Sequence, residues 1–375
     1  MKKPFTWLEI NKSAINYNLK QFRKLIGPKV LLMPVIKSNA YGHGFLEVAR
    51  ILEHNKEVDR ICVVNLEEAI KLIDFGLKKP IFILSFYQLD QQLLTKAIKA
   101  QVIFSVYNKK QLQILNDIAK QIHRNVKIHL EIDTGVSRTG ILPKATLPFI
   151  KEIQKYSHLS LEGIWSHFAS SENNPQYTNY QLHKFQKIIT QLEHNKINIP
   201  LKHMACTASS ILYKESLLNG IRVGIGIYGL HDNKIIQQKI KLQRALSWYT
   251  TIIQIKELPP KTKISYGGTY TTKRKTKIAI IPVGYWDGYD RLFSNKAQVI
   301  IHNKKCPIRG RICMNLSMVD VTNVKGVKPG DKVILIGKSK NQEITAEDLA
   351  KWANTINYEI VTRINPLLAR RVKSA

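Results

Sequence analysis

The sequence predicts an α/β protein, a (β/α)8 TIM-type barrel followed by a β-rich C-terminal domain. Over the first two-thirds, short apolar runs that end in polar residues alternate with longer stretches of helical periodicity. After about Leu230 the alternation gives way to short strands with Pro, Gly, Asn and Asp between them. Length agrees, since 375 residues exceed one compact core unless that core is a barrel of about 250 residues.

In chain order, a helix is expected from about Ser13, where Ile15, Leu19, Phe22 and Ile26 share a stripe. Eight strand-like runs follow: Leu31–Lys37, Arg60–Asn65, Pro80–Ser85, Gln101–Val106, Val126–Asp133, Leu159–His167, Lys202–Thr207 and Arg222–Gly229. Their near-continuous apolarity suits strands of a parallel sheet buried on both faces. Between two of them, Leu182, Phe185, Ile189 and Leu192 keep helical spacing, and Pro175 suits the start of that helix. An open doubly wound sheet is the alternative, but Ser38-Asn39-Ala40-Tyr41-Gly42-His43-Gly44 is not the Gly-rich phosphate turn that such sheets carry after the first strand.

In the second part, strands are expected at Trp248–Ile255, Lys277–Ile281, Gln298–Ile301, Met318–Val321 and Lys332–Ile336. A hairpin loop is expected at His302–Lys305, and a helix from near Thr345 to Asn354. The barrel is assigned to residues 11–235 and the β-rich domain to 236–375, with the boundary around 231–242.

Composition narrows the class. With 44% hydrophobic and 23% charged residues, the chain reads as an ordinary globular protein, and no apolar run approaches the roughly 18–20 residues of a membrane span. The start, Met1-Lys2-Lys3-Pro4-Phe5, has no apolar segment of a secretion signal, and four widely spaced cysteines fit neither a disulfide framework nor zinc spacing. A cytoplasmic protein without a metal is the expectation. The net charge of +31 raises nucleic-acid binding as an option, but the lysines are spread over the whole length and no aromatics interleave with them. Solvated lysine-rich faces are the simpler reading, with no specific nucleic acid and no membrane as partners; the positive field would also draw in small anions.

Chemistry in such barrels sits at the carboxyl ends of the strands. That position holds Lys37, Glu131 and Asp133, His167, Thr207, and Arg222 followed by Gly224 and Gly226. A lysine there can simply snorkel out of the barrel mouth, or its amine can be lowered in pKa by burial and cationic neighbours to act in covalent or acid–base catalysis.

The run Val35-Ile36-Lys37-Ser38-Asn39-Ala40-Tyr41-Gly42-His43-Gly44 resembles the cofactor-attachment signature of alanine racemases. Further segments are similar to family landmarks in the same order: Asp133–Gly140, Glu162–His167, Arg222–Gly229, Ser265-Tyr266-Gly267, Gly284–Tyr289, Gly310–Asn315 and Tyr358. The resemblance covers nearly the whole chain. It implies pyridoxal 5'-phosphate (PLP) as cofactor, a small amino acid as substrate, and a head-to-tail homodimer with shared active sites supplying D-alanine as a cell-wall precursor. It also implies that the first ten residues pack on the second domain.

Carried over residue by residue, the resemblance makes Lys37 the PLP-linked lysine and one catalytic base, and Tyr266 of the partner subunit the other. Racemisation requires a proton to leave one face of a planar centre and return on the other, a demand that two groups on opposite faces meet. The resemblance further implies Arg222 opposite the pyridine nitrogen, His167 supporting Arg222, and Arg138 beside cofactor and substrate. Tyr41, Thr207, Gly224, Ile225 and Tyr358 would hold the phosphate; Met314 would contact the substrate carboxylate; Tyr285, Arg291 and Arg311 would line the entrance.

The chain departs from the pattern at four places. Glu131 stands where many members carry a carbamylated lysine, and is expected to supply the carboxylate directly and pair with Arg138. Asn315 stands where aspartate is common, Val223 where proline is common, and Cys206-Thr207 where Asn-Ser is common. The lost charge at Asn315 leaves serine or a broader substrate range open. A non-catalytic PLP-binding protein would lack the second domain. A decarboxylase of the same fold type would not reproduce these motifs in this order.

Overall fold

The computed structural model describes residues 4–231 and 234–374. Residues 232–233, inside the expected boundary region, and residues 1–3 and 375, at the ends of the expected domains, lie outside it. The chain divides into two compact units. One, the barrel unit, comprises Asn16–Ser38 and Val48–Gln243; the other, the β unit, comprises the residues up to Ile15, Asn39–Glu47, and those from Arg244 onward.

The first strand, β1 (Trp7–Asn11), belongs to the β unit. The barrel unit is built on β2 (Leu31–Pro34), β3 (Ile61–Val63), β4 (Ile81–Ile83), β5 (Ile103–Val106), β6 (Val126–Glu131), β7 (Leu159–Trp165), β8 (Leu201–His203) and β9 (Gly220–Val223). All are parallel, in the order β2-β9-β8-β7-β6-β5-β4-β3, and the Val35–Cys62 bridge joins β2 to β3. This is the eight-stranded barrel that the sequence predicts. β2, β3, β4, β5 and β9 are buried or nearly so at every position, as expected of strands covered on both faces.

The helices between strands start where local chemistry says they should. Asn65, Asp90 and Asn108 each accept a backbone amide at the first turn of the helix that follows, filling a donor the helix cannot satisfy internally. The long helix Pro175–His194 has Asn174 as its cap and Pro175 in its first turn, where a missing N–H costs nothing. Phe185, Ile188 and Leu192 are buried on it; Ile189 lies a residue off that stripe.

The β unit contains β10 (Leu246–Thr251), β11 (Gln254–Leu258), β12 (Lys263–Ile264), β13 (Tyr270–Thr271), β14 (Thr276–Ile281), β15 (Gln298–Ile301), β16 (Lys304–Pro307), β17 (Ser317–Asp320), β18 (Lys332–Ser339), β19 (Gln342–Ile344) and β20 (Ala369–Lys373). Its main sheet runs β16-β15-β18-β10-β1-β20, with β19 paired to β18; β11-β14-β17 and β12-β13 form two smaller sheets. The run expected as one strand at Trp248–Ile255 is split in two, because its two halves pair with different sheets. His302 and Asn303, at φ of 46° and 61°, make the left-handed two-residue turn of the β15–β16 hairpin.

The segment after β2 departs from the sequence reading. Lys37 does not close a strand; it opens a short helical turn, Lys37–Tyr41, in which Ser38, Asn39, Ala40 and Tyr41 have φ of 52–56°. That is a left-handed turn, which costs L-residues roughly 1–2 kcal/mol each. Within the β unit it is held by specific bonds: the buried His43 ring bonds through Nδ1 to the Ala40 and Tyr41 carbonyls, and Asn39 Oδ1 accepts the Phe45 amide. At Gly42, with φ of 81°, a Cβ would lie 1.8 Å from the Val361 carbonyl oxygen. Gly42→Ala is therefore expected to destabilise the protein by about 2 kcal/mol or more, read as a loss of several degrees in thermal melting; an unchanged melting curve would contradict this packing.

Candidate active site

In the barrel unit, the strand ends bring Lys37, Glu131, Arg138, His167 and Arg222 into one electrostatic cluster. The Lys37 amine is mostly buried, and its pKa lies below the ordinary 10.5 because of that burial and the positive charge of Arg138; Glu68 opposes the shift. Glu68 is in turn fixed by the amides of Ser38 and Val64, at 2.7 and 2.9 Å. His167 is held well below its usual range by burial first, and then by Arg222, Arg138 and Lys37. An amine in such surroundings has a larger neutral, nucleophilic fraction at neutral pH than a surface lysine.

The loop after β6 follows from its sequence. Asp133 Oδ1 accepts the amides of Gly135, Val136 and Ser137, and Ile132 bridges to Ile141, so the chain doubles back on itself. Tyr177 donates its hydroxyl to the Gly135 carbonyl and steadies the turn. Arg138 is exposed on this loop.

The ion pair expected between Glu131 and Arg138 is absent among the described residues. Glu131 Oε1 instead accepts the Thr139 hydroxyl at 2.9 Å, while Oε2 is buried without a partner. Burial pushes this carboxyl up to about 7, against the pull of the Thr139 bond and of Arg138 and Arg222. The loop that carries Arg138 is pinned by its own Asx turn, so the guanidinium acts on Glu131 through space.

Arg222 is fully buried and makes more bonds than the sequence suggested. One terminal nitrogen is hydrogen-bonded to His203 Nδ1; the other donates to the Ser166 carbonyl at 2.7 Å and the Met204 carbonyl at 3.2 Å. Its guanidinium also lies over the Trp165 ring, 4.6 Å from the centroid. His167, the expected support, is only a long contact at 3.4 Å; His203 and two carbonyls hold the arginine more closely. Desolvation lowers the guanidinium to about 10, so it remains charged at neutral pH.

Next along the chain, Thr207 Oγ1 accepts the Gly226 amide at 3.3 Å. Among the described residues, no hydrogen bond uses the amides of Gly224 or Ile225. Two unused amides, a hydroxyl and little bulk make a set of donors suited to a phosphate near the last two strands of a barrel. A buried amine of lowered pKa and a fixed guanidinium in the same unit complete what a PLP-sized cofactor with a carbonyl, a ring nitrogen and a phosphate would use. These residues fit that cofactor. The described residues contain no group of three or more His, Cys, Asp or Glu able to hold a metal, and none of the described helices is long and apolar enough to cross a membrane.

The β unit gathers the remaining expected residues. Tyr41 and Tyr358 stand ring to ring, with centroids 6.2 Å apart. Tyr266 is 70% exposed. Its loop is pinned by Ser265 Oγ donating to the Arg311 carbonyl at 2.5 Å. The Gly284–Tyr289 and Gly310–Asn315 segments interlock: the amides of Tyr285 and Trp286 donate to the Cys313 and Met314 carbonyls. Tyr285, Trp286, Arg311, Met314 and Asn315 are thereby exposed together beside the Tyr266 loop, and Arg291 is exposed as well.

Comparison with known proteins agrees with this geometry. Residues 10–232 match the family model of the alanine racemase N-terminal domain, and residues 245–372 that of the alanine racemase C-terminal domain. The alanine racemase of Halothermothrix orenii is 40% identical over 370 residues, 98% of this chain and 97% of that protein. Among solved structures, the alanine racemase of Clostridium difficile 630 matches with a TM-score of 0.94 at 33% identity, covering 100% of this chain and 97% of that one. A histidine racemase from Leuconostoc mesenteroides subsp. sake matches with a TM-score of 0.90 at 26% identity, covering 100% and 99%.

Proposed function

The chain belongs to the alanine racemase family, and from that premise we propose that it interconverts L- and D-alanine with PLP bound at Lys37. The observation that carries the reading is the partly buried Lys37 amine, lowered in pKa by that burial and by Arg138 and set beside His167. When bound, PLP supplies a sink for the electron pair left by a departing Cα proton. Within the barrel unit, the Gly224 and Ile225 amides and Thr207 are the residues that would hold its phosphate, and Arg222 the one that would meet its ring nitrogen. Arg222 keeps its proton, so it would donate a hydrogen bond to that nitrogen without protonating it.

Lys37 takes or returns the Cα proton on one face of the bound amino acid, and Tyr266 of the partner subunit serves the other. The exposure of Tyr266 beside Tyr285, Trp286 and Met314 supports this division: a rigid apolar and aromatic patch of this kind suits a contact with a second copy. Met314 would then meet the substrate carboxylate, and D-alanine is the product in the biosynthetic direction.

Incubating the purified protein with PLP and L-alanine in D2O tests the reading. Deuterium at Cα together with D-alanine is expected; loss of L-alanine without D-alanine would refute it. L-serine in parallel tests specificity, since Asn315 removes a charge from the Met314 segment.

Glu131, held by Thr139, has a place in the same scheme as a carboxylate that acts on Arg138 through space, without a carbamylated lysine. Its carboxyl, raised to about 7, is neutral below that pH and ionised above it. Turnover should therefore fall as pH drops through about 7. Glu131→Gln should lower turnover about 10-fold at pH 8 and flatten that limb; an unchanged limb in the variant would assign the titration elsewhere.

A further inference from the structure

A barrel interior of this type is ordinarily filled by apolar side chains in layers. Here a line of polar groups crosses it, all within the barrel unit. Arg222 is hydrogen-bonded to His203 Nδ1; His203 Nε2 meets His129 Nδ1 at 2.8 Å; His129 Nε2 meets Glu162 Oε2 at 2.9 Å. Glu162 is bound by Arg60 at 2.6 and 3.1 Å and by Lys127 at 2.9 Å. Arg222 lies late in β9, whereas Lys127 lies at the start of β6 and Arg60 just before β3, so the line runs from the carboxyl ends of the strands toward their amino ends.

The direction of every bond follows from the two ends: guanidinium has donors and no acceptor, and an ionised carboxylate has acceptors and no donor. His203 Nδ1 must then accept, so its proton sits on Nε2 and is donated to His129 Nδ1. His129 in turn carries its proton on Nε2 and donates it to the Glu162 carboxylate. No other assignment satisfies all four groups. A proton added to either imidazole would remove an acceptor and set a second cation near Arg222. Burial and the charges of Arg60 and Arg222 accordingly hold both histidines below their usual pKa, while Arg60, Lys127 and His129 hold Glu162 ionised.

Packing fixes the line in place. The His129 ring stands 4.6 Å from Phe82, and His203 lies nearly parallel to Trp165, the ring that also faces Arg222. Gly163 makes room for His129: a Cβ there would come within 2.8 Å of its ring.

We propose that Glu162, His129 and His203 are positioning residues for Arg222, a one-way hydrogen-bond relay that presents a neutral imidazole lone pair to the guanidinium and holds it in one orientation. Among the described residues, the hydrogen bonds of that guanidinium all use its terminal nitrogens, which leaves Nε–H for the ligand. The relay rests on the reading that Arg222 faces the cofactor's ring nitrogen. The carboxylate sets the direction. An amide at position 162 can turn its oxygen to Arg60 and its NH2 to His129, which reverses both imidazoles and points a donor at Arg222.

The test begins with the protein without cofactor. Nitrogen-15 NMR of labelled histidines, assigned with His129→Gln and His203→Gln, should show both rings neutral and protonated at Nε2 at neutral pH. An Nδ1–H tautomer or an imidazolium at either position would overturn the relay. This measurement needs no variant of Glu162 to fold. Glu162→Gln should shift the tautomers and lower kcat roughly 10-fold with little change in KM. Arg60→Met, which keeps the carboxylate on His129, should leave both tautomers in place and lower kcat less than Glu162→Gln does. Equal kinetic effects of the two substitutions would reduce Glu162 to a structural ion pair and refute the proposal. Predicted tautomers in a protein that does not racemise alanine would refute the functional reading; wrong tautomers in an active racemase would refute the relay alone.

Discussion

Lys37→Ala should abolish racemisation, with turnover lowered at least ~1,000-fold, because the substitution removes a covalent anchor and a catalytic base together. Borohydride treatment of the wild-type protein with PLP should fix the cofactor to the peptide that contains Lys37, and the variant should take up none. The sign of the pH dependence follows from the environment. Burial and Arg138 lower the amine from 10.5, so its neutral fraction rises with pH at values where a surface lysine is still an ammonium. Activity dependent on the free amine should rise through that lowered pKa. A limb at the ordinary lysine value would mean that the Lys37 environment is not as described.

Tyr266→Phe should also lower turnover by about 100-fold or more, while leaving cofactor attachment and folding intact, since the phenol is exposed and its loop is held by Ser265. The informative version is a mixture of Lys37→Ala and Tyr266→Phe chains. If each site joins Lys37 of one subunit to Tyr266 of the other, half of the randomly paired dimers are hybrids with one intact site each. Refolding the two inactive variants together should then restore roughly a quarter of wild-type activity. No recovery, despite hybrid dimers seen by mass, would place both bases in one chain and overturn the shared site.

Much of the fold was legible because it depends on local pattern. Eight strands, five of them buried at nearly every position, read as eight apolar runs, and Pro175 marked the start of its helix. The β unit was less legible, because β12, β13 and β19 are only two or three residues long, and β20 owes its extended form to β1, far away in sequence. Lys37 and Thr207 were visible as polar residues closing apolar runs, and Arg222 as the charged residue opening the eighth. His129 and His203 passed unnoticed: a histidine within or at the end of a strand looks like any core histidine until its neighbours are known. A weak signal existed in the alternation of Lys127, His129 and Glu131, which puts three polar groups on one face of β6.

By itself, the sequence determined the barrel, the β-rich second part and the strand-end residues, because hydrophobic period, turn chemistry and motif order are properties of neighbouring residues. Only the tertiary structure decided that Ser38–Tyr41 wind left-handed, that Glu131 bonds Thr139 in place of Arg138, and that Arg222 rests on His203 more than on His167. The physical reason is the same in each case. A strained turn or a buried charge takes the partner that folding brings within hydrogen-bond reach, and that partner lies on another segment of the chain or is selected by how the backbone is pinned.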